Sequence, residues 1–255
     1  LALNFDPLAN TDDGFCCGAS LPIPFGTQIG QDIDGETSQD FSGWSVSLSY
    51  DGNRVAIGAM DNDGNGNQSG HVRVFEKIDT SWFQVGQDID GEAANDESGY
   101  SVSISDDGNI VAIGARYNDG NGFGSGHVRV YNWNGTSWNQ LGQDVDGIAD
   151  SEKLGYSVSI NGTGDIFAAT APKFNSAGDS YVRVYNYVNS QWNQLGQDIY
   201  DSLVGDRFKF VSINYDGNVL VIGAPSTTGG YVKIYENINN IWQQVGQDIY
   251  AGPSF

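Results

Sequence analysis

The side chains best suited to chemistry in this chain are oxygen donors in glycine-rich turns. The stretches Asp61-Asn62-Asp63-Gly64-Asn65-Gly66 and Asn118-Asp119-Gly120-Asn121-Gly122 have the composition of a calcium loop. Calcium takes several oxygens from Asp, Asn and backbone carbonyls, often around a Gly turn. Asp61, Asp63 and Asp119 are the carboxylates that would bind, and calcium is the cofactor the sequence suggests. A polar Gly-rich turn without an ion accounts for the same residues at least as well. The later copies lose the pattern at residues 175–179 and 226–229.

Catalytic chemistry finds little support. His71 and His127 are the only histidines, and they share one repeat position that Tyr181 and Tyr231 fill further on. A residue repeated in this way is read as packing. No Ser-His-Asp set or metal-ligating histidine cluster stands out, so the chain is expected not to be an enzyme. Arg73, Arg129, Arg183 and Lys233 share another position, and Asp40, Asp96, Glu152 and Asp206 share a third. Four bases against four acids predict one structural ion pair in each copy. Three N-x-S/T sequons, at Asn67, Asn134 and Asn161, fall in expected turns and are candidate glycan sites.

Cys16 and Cys17 are the only cysteines, and they are adjacent. A bond between them is geometrically poor, because neighbouring Cα atoms lie ~3.8 Å apart and disulfides usually span ~4.4 Å or more. Each is expected to pair outside its own segment, with another chain or with sequence beyond these residues. Free surface thiols are the alternative.

The elements that must position these residues are repeats. The phrase Gly-Gln-Asp-Ile/Val begins at Gly30, Gly86, Gly142, Gly196 and Gly246, at intervals of 56, 56, 54 and 50 residues. Periods of this length signal propellers, solenoids or arrays. In the second copy, residues 100–105, 109–115 and 126–131 alternate apolar with small or polar residues, the mark of half-buried strands. Residues 138–145 make a fourth segment. Asp107-Gly108 separates the first two strands as a tight turn. Asp51-Gly52 and Asp216-Gly217 repeat it, and Thr163-Gly164 is a weaker version. Four strands per copy fit a propeller blade. Trp82, Trp138, Trp192 and Trp242 recur where a large ring would fill the space between blades.

These copies resemble the FG-GAP class of β-propeller repeats, known from integrin α-chain heads and microbial and algal surface proteins. The residues that carry the resemblance are Gly43-Trp44-Ser45-Val46, Gly99-Tyr100-Ser101-Val102 and Gly155-Tyr156-Ser157-Val158. With them go Gly58-Ala59, Gly114-Ala115, Thr170-Ala171-Pro172 and Gly223-Ala224-Pro225. The fourth copy departs, with Lys209-Phe210 where Gly-aromatic-Ser is expected. The resemblance implies an all-β propeller of four-stranded blades over residues 25–255, and calcium loops of the D-x-D-x-D-G kind. Residues 1–24 are a separate connecting arm. Ala2-Leu3-Asn4, Asp6-Pro7, Ala9, Asp12-Asp13-Gly14 and Cys16 resemble a short Asp- and Cys-rich motif found between domains of surface proteins. Asp6, Asn10, Asp12 and Asp13 could hold one calcium ion.

Composition narrows the partners. Of 255 residues, 32 are acidic and 11 basic, for a net charge of −21. Such a surface lacks the Lys and Arg that meet phosphate, which argues against nucleic acid and anionic membranes. No apolar run approaches the ~18 residues of a membrane-spanning helix. An extracellular or cell-surface location is expected.

The count of strands suggests a function. Three strand types occur four times, whereas the Gly-Gln-Asp segment occurs five times, the first at 25–33 and the last at 242–249. A four-bladed ring can use either end copy, not both. The spare strand opens another blade of a longer chain, or frays, or pairs with a neighbouring protomer, since exposed edges invite another chain. The leading expectation is a structural subunit of a cell-surface or fibre-like assembly, joined to copies of itself or to neighbouring domains. In it Cys16 and Cys17 make covalent links. The runner-up is an integrin-like adhesion module that takes protein or glycan ligands on one propeller face.

Overall fold

A computed structural model describes residues 28–173, 180–201, 207–226 and 229–250. The N-terminal arm with Asp6, Asn10, Asp12, Asp13, Cys16 and Cys17 lies outside the described residues, as does Asp206. The chain is an all-β propeller-type fold of four antiparallel sheets, one per copy. Blade 1 is β1 (Ser42–Leu48), β2 (Arg54–Ala59), β3 (His71–Ile78), β4 (Ser81–Gln84) and β5 (Ile89–Asp90). Blade 2 is β6 (Ser98–Ile104), β7 (Ile110–Ala115), β8 (His127–Trp133), β9 (Trp138–Gln140) and β10 (Val145–Asp146). Blade 3 is β11 (Val158–Ile160), β12 (Ile166–Ala171), β13 (Tyr181–Val188), β14 (Gln191–Gln194) and β15 (Ile199–Tyr200). Blade 4 is β16 (Phe210–Ile213), β17 (Val219–Ala224), β18 (Tyr231–Ile238), β19 (Ile241–Gln244) and β20 (Ile249–Tyr250).

Five short strands per blade are four in substance. Both β4 and β5 pair with β3, β4 along Phe75–Ile78 and β5 at His71 and Val72. They are one outer strand broken by the Gly-Gln-Asp phrase. The break has a local cause, because Gly86 takes φ +76° and Gly142 φ +79°, a region side chains resist. The tight turns expected at Asp-Gly form as read, with Gly52 at φ +69° and Gly108 at φ +72°.

Strand alternation sends two kinds of residue between blades. Val102 and Ile104 pack back onto Ala56, Val72 and Val74 of blade 1. Val158 and Ile160 do the same onto Ala112, Val128 and Val130, and Val211 and Ile213 onto Ala168, Val182 and Val184. Each such side chain contributes about 1.5–3 kcal/mol on burial. The intervening serines face the other way and bond to the next blade. Ile104 N–H donates to Ser47 Oγ at 3.1 Å, Ile160 N–H to Ser103 Oγ at 3.0 Å and Ile213 N–H to Ser159 Oγ at 3.0 Å. Gly58 and Gly114, of the first two Gly-Ala pairs, allow this approach. A Cβ on Gly58 would sit 2.2 Å from the Gly99 carbonyl oxygen, and one on Gly114 2.1 Å from that of Gly155. Blade 4 keeps the joint by another route, with Thr170 Oγ1 donating to the Lys209 carbonyl at 3.2 Å and Phe208 fully buried.

At the outer edge the phrase itself makes the joint. Gln143 Nε2 donates to the Trp192 carbonyl at 2.7 Å, and Trp192 N–H returns to Gln143 Oε1 at 3.0 Å. The indole Nε1 of Trp192 donates to the Leu141 carbonyl at 2.7 Å. Gln87 and Trp138 repeat the arrangement, as do Gln197 and Trp242. The first phrase takes part as well. Gln31 Nε2 donates to the Trp82 carbonyl at 2.9 Å, and Trp82 Nε1 to the Ile29 carbonyl at 3.1 Å. Residues 28–33 thus lie against blade 1 as the outer edge of a preceding blade would, although no strand is assigned to them.

Gly142 and Gly246 separate backbone strain from ring contact. Both have positive φ, but a Cβ on Gly142 would meet Trp192 Cδ1 at 2.8 Å, while one on Gly246 meets nothing within 4 Å. Gly246→Ala should cost about 1–2 kcal/mol and Gly142→Ala at least about 1 kcal/mol more. Urea unfolding of the two variants measures the difference, and equal losses would show that the indole gives way freely.

Candidate functional site

The repeated bases lie on the third strand of each blade, and their acid partners differ from those the sequence suggests. Arg183 Nε and Nη2 donate to Asp198 at 2.7 and 2.8 Å. Arg129 Nε meets Asp144 Oδ1 at 3.0 Å, and its Nη2 contacts Glu92. Lys233 Nζ lies 3.8 Å from Asp248. Arg73 lies 3.9 Å from Glu36 and donates to the Asp34 carbonyl at 2.7 Å. In blades 2 to 4 the partner is the Asp of the Gly-Gln-Asp phrase, brought beside the base when the broken outer strand folds back.

The expected partners do other work. Asp40 accepts from Thr37 N–H at 3.0 Å and from Asn62 Nδ2 at 3.1 Å. Asp96 accepts from Ala93 N–H at 3.1 Å and from Asn118 Nδ2 at 3.0 Å. Glu152 accepts from Ile148 N–H at 2.7 Å and from the Tyr181 hydroxyl at 2.6 Å, and pairs with Lys173 at 3.2 Å. These acids pin the loop that enters each blade to the loop between its second and third strands.

That second loop contains the candidate calcium residues. Asp63 Oδ1 accepts from Gln68 N–H at 2.8 Å, and Asp119 Oδ1 from Gly124 N–H at 2.6 Å. Each carboxylate closes its own turn with one oxygen. Asp61 is half-buried, and its N–H donates to the Asp40 carbonyl at 3.2 Å. Among the described residues, none of the three joins a cluster of metal-ligating side chains.

Two clusters do form, around the histidines. Glu36, His71 and Asp88 offer ligand atoms within 4.8 Å of one another, and Glu92, His127 and Asp144 repeat this in blade 2. His71 is 1% exposed and His127 3%, and neither Nδ1 has a hydrogen-bond partner. Burial pushes His127 down to about 4, against the opposing pull of Asp144, so the ring is neutral at pH 7. Burial lowers His71 in the same way. Asp90 and Asp146 are pushed up by burial and by the neighbouring Asp88 and Asp144 carboxylates. The packing role expected of the histidines accounts for their burial and leaves Nδ1 unexplained.

The sequons divide. Asn67 and Asn134 are exposed, Asn134 with its Oδ1 capping the turn at Thr136 and Ser137. Asn161 is buried, and its Nδ2 donates to Thr163 and Asp165, both at 2.9 Å. A glycan on that nitrogen would break the turn, so Asn161 is removed from the candidates.

The two ends of the blade series are unlike its middle. On β1, Val46 is 63% exposed and Leu48 57%, whereas Val102 and Ile104 at the same positions of β6 are 8% and 6%. At the other end, Ile249 is 55% exposed, whereas its counterpart Ile89 is 4%. Val221 is likewise exposed and Val232 and Ile234 are half-buried, where blades 1 to 3 bury the equivalent residues. Gln247 repeats the clamp residue with no following Trp in the described chain.

The Arg183–Asp198 pair gives a pH-dependent expectation. Burial raises the Asp198 carboxyl, but hydrogen bonds from Arg183, Tyr200 and Gln194 hold it below its ordinary value of 3.8. A depressed carboxyl stabilises the fold above that value, and the contribution disappears as pH falls through the folded-state pKa. Asp198→Asn should cost about 3 kcal/mol at pH 7 by leaving the guanidinium unpaired. The gap to the parent should close below about pH 3.8, and denaturant unfolding at pH 7, 5 and 3 tests it.

No curated protein matches the chain in sequence. Among solved structures, it is similar to the periplasmic gluconolactonase of Pseudomonas aeruginosa, at 15% identity and a TM-score of 0.56, over 82% of this chain and 58% of that one. A putative 6-phosphogluconolactonase from Bacteroides uniformis is 14% identical, with a TM-score of 0.54, over 80% and 54%. Hydrazine synthase of Kuenenia stuttgartiensis is 12% identical, with a TM-score of 0.54, over 89% and 52%. The chain spans little more than half the length of these proteins, and the likeness is one of fold alone. The FG-GAP repeat model matches residues 32–75 and 89–131, which lie in the first two copies. Residues 32–75 and 89–131 therefore match FG-GAP repeats, within a chain of β-propeller-type fold.

Proposed function

We propose that this chain is a non-enzymatic extracellular structural protein, a propeller module that joins others in a cell-surface or fibre-like assembly. The uncovered end faces carry the reading. Val46 and Leu48 at one end, and Val221 and Ile249 at the other, are the residue types that the inner joints bury, presented in the same positions. Each face is suited to the opposite face of another blade series, from a second copy or from further repeats. A head-to-tail contact of this kind propagates unless its rotation closes a ring. The surplus phrase fits as well, because residues 28–33 lie against blade 1 as the outer edge of a preceding blade would. Links through Cys16 and Cys17 belong to the same proposal, as does calcium in the polar loops.

A second reading has a specific observation behind it. Tyr50, Asp106, Ile160, Gly162 and Tyr215 line an open cleft where loops from successive blades meet. Tyr50 and Tyr215 are both exposed there, and such rings suit a glycan or protein ligand.

Sedimentation of the full chain over a range of concentrations, with negative-stain microscopy with and without reductant, tests the first reading. Regular multimers that loosen on reduction are expected. Val46→Asp with Leu48→Asp should weaken association at least tenfold without unfolding the chain, since both sites are exposed. Isolated particles at every concentration, in either redox state, would overturn it and leave ligand screening of the Tyr50–Tyr215 cleft as the next step.

A further inference from the structure

We infer that blades 1 and 2 each contain a binding centre for a divalent transition ion of the zinc class, formed by His71 with Glu36 and Asp88, and by His127 with Glu92 and Asp144. Buried imidazole nitrogens are normally hydrogen-bonded, and leaving one without a partner costs about 1–3 kcal/mol. Here the same atom is left without one in two blades. The oxygens facing it are Glu36 Oε2 at 3.9 Å, Glu92 Oε2 at 3.7 Å and Asp146 Oδ1 at 3.8 Å. These separations are too long for a hydrogen bond. They suit two donors that each lie about 2.0–2.2 Å from one shared ion.

The surrounding charge fits a divalent cation. Around His127 stand Glu92, Asp144 and Asp146 against Arg129, three negative charges and one positive. Glu36, Asp88 and Asp90 stand against Arg73 in blade 1 in the same way. Each centre is left two charges negative. Arg129 holds Glu92 by Oε1 and leaves Oε2 toward the imidazole. It takes Asp144 by both oxygens, so an ion would share that carboxylate with the guanidinium.

The repeats supply an independent argument. The position of Glu36 and Glu92, six residues after the Gly of the phrase, holds Ile148 in the third copy and Ser202 in the fourth. These are the copies in which Tyr181 and Tyr231 replace the histidine. The Tyr181 hydroxyl donates to Glu152 at 2.6 Å, and the Tyr231 hydroxyl donates to Asp201. Imidazole and glutamate are thus present together and lost together, and a satisfied hydroxyl takes over where they are lost. The phrase Asp persists in all four blades, and in blades 2 to 4 it also pairs with the base. A neutral imidazole among carboxylates favours zinc-class ions over calcium, which takes six to eight oxygens. These centres are therefore distinct from the Asp61, Asp63 and Asp119 loops.

Calorimetric titration with Zn²⁺ of the full chain, stripped with chelator and alkylated at its cysteines, tests the inference. Two sites per chain are expected. Glu36→Gln and Glu92→Gln should each reduce the count to one, and the double variant to none. Both glutamates are exposed enough for the fold to tolerate the change, which circular dichroism checks. Co²⁺ in place of Zn²⁺ should give visible absorption without a thiolate charge-transfer band. Absence of binding, two sites persisting in the double variant, or displacement by equimolar Ca²⁺ would each overturn it.

Discussion

A blade in this protein cannot satisfy its own edges. The glutamine of each phrase has its amide donor and acceptor used by the main chain of the following tryptophan, and that indole N–H returns to a carbonyl of the glutamine's own blade. The glutamine is exposed, but Trp138, Trp192 and Trp242 are buried, where an unmet indole N–H would be expensive. The geometry works only because the phrase starts with a residue that accepts positive φ and brings no Cβ against the ring. Three physical demands, a turn, a close approach and a reciprocal hydrogen bond, meet in Gly-Gln-Asp. The phrase is repeated so faithfully because it makes the joint between blades.

Dependence on neighbours governs the stability of the whole. In a linear stack of repeats, stability is the sum of weak units and strong interfaces, so the terminal faces lack what the internal ones have. The internal joints bury Val, Ile and Ala in slabs shared by two blades, and each slab is closed at the outer edge by Trp138, Trp192 or Trp242. The open faces at β1 and at blade 4 have the same composition as the slabs without the second half. A propeller ordinarily removes such edges by closing on itself. Among the described residues β1 and β16 make no extensive contact with one another. The surface left over is unusual for a chain with a charge of −21, and its position is set by the repeat rather than by local composition.

The features legible in the sequence were those with a local cause. Asp51-Gly52 and Asp107-Gly108 specify their turns through one backbone angle. Period-two alternation places the strands within a residue or two, because one face of each must be apolar. Trp192 announced an inter-blade role because a ring of that size recurs at one position. The ion pairs were legible in kind but not in partner. Equal counts of Arg73-type bases and Asp40-type acids suggested a pairing, yet the bases meet Asp144, Asp198 and Asp248, which the break in the outer strand brings back beside them. No one-dimensional spacing encodes that return. Asn161 looked like a surface sequon because its turn is polar, but both ends of its amide are used inside that turn. The histidine clusters had a signal that was available, the loss of Glu and His from the same two copies. Reading it required comparing positions some 35 residues apart within each repeat.

The two pairs of blades solve one local problem differently. In every copy the loop that enters the blade must be tied to the first residue of the third strand, at the rim, where carboxylates crowd. Blades 3 and 4 tie it with a tyrosine hydroxyl on Glu152 or Asp201, a neutral donor on a buried acid. Blades 1 and 2 bring a neutral imidazole to crowded carboxylates, where burial first and the neighbouring Asp88 and Asp144 second push Asp90 and Asp146 up. Without a cation that arrangement is the weaker tie, since it offers no hydrogen bond to Nδ1 and leaves two negative charges uncompensated. The FG-GAP match falls on these first two copies, while the joint that defines the fold runs through all four. The blade-to-blade clamp and the rim centre are therefore separable. The clamp is common to every copy because the fold needs it, and the rim differs between copies because the fold tolerates either solution there.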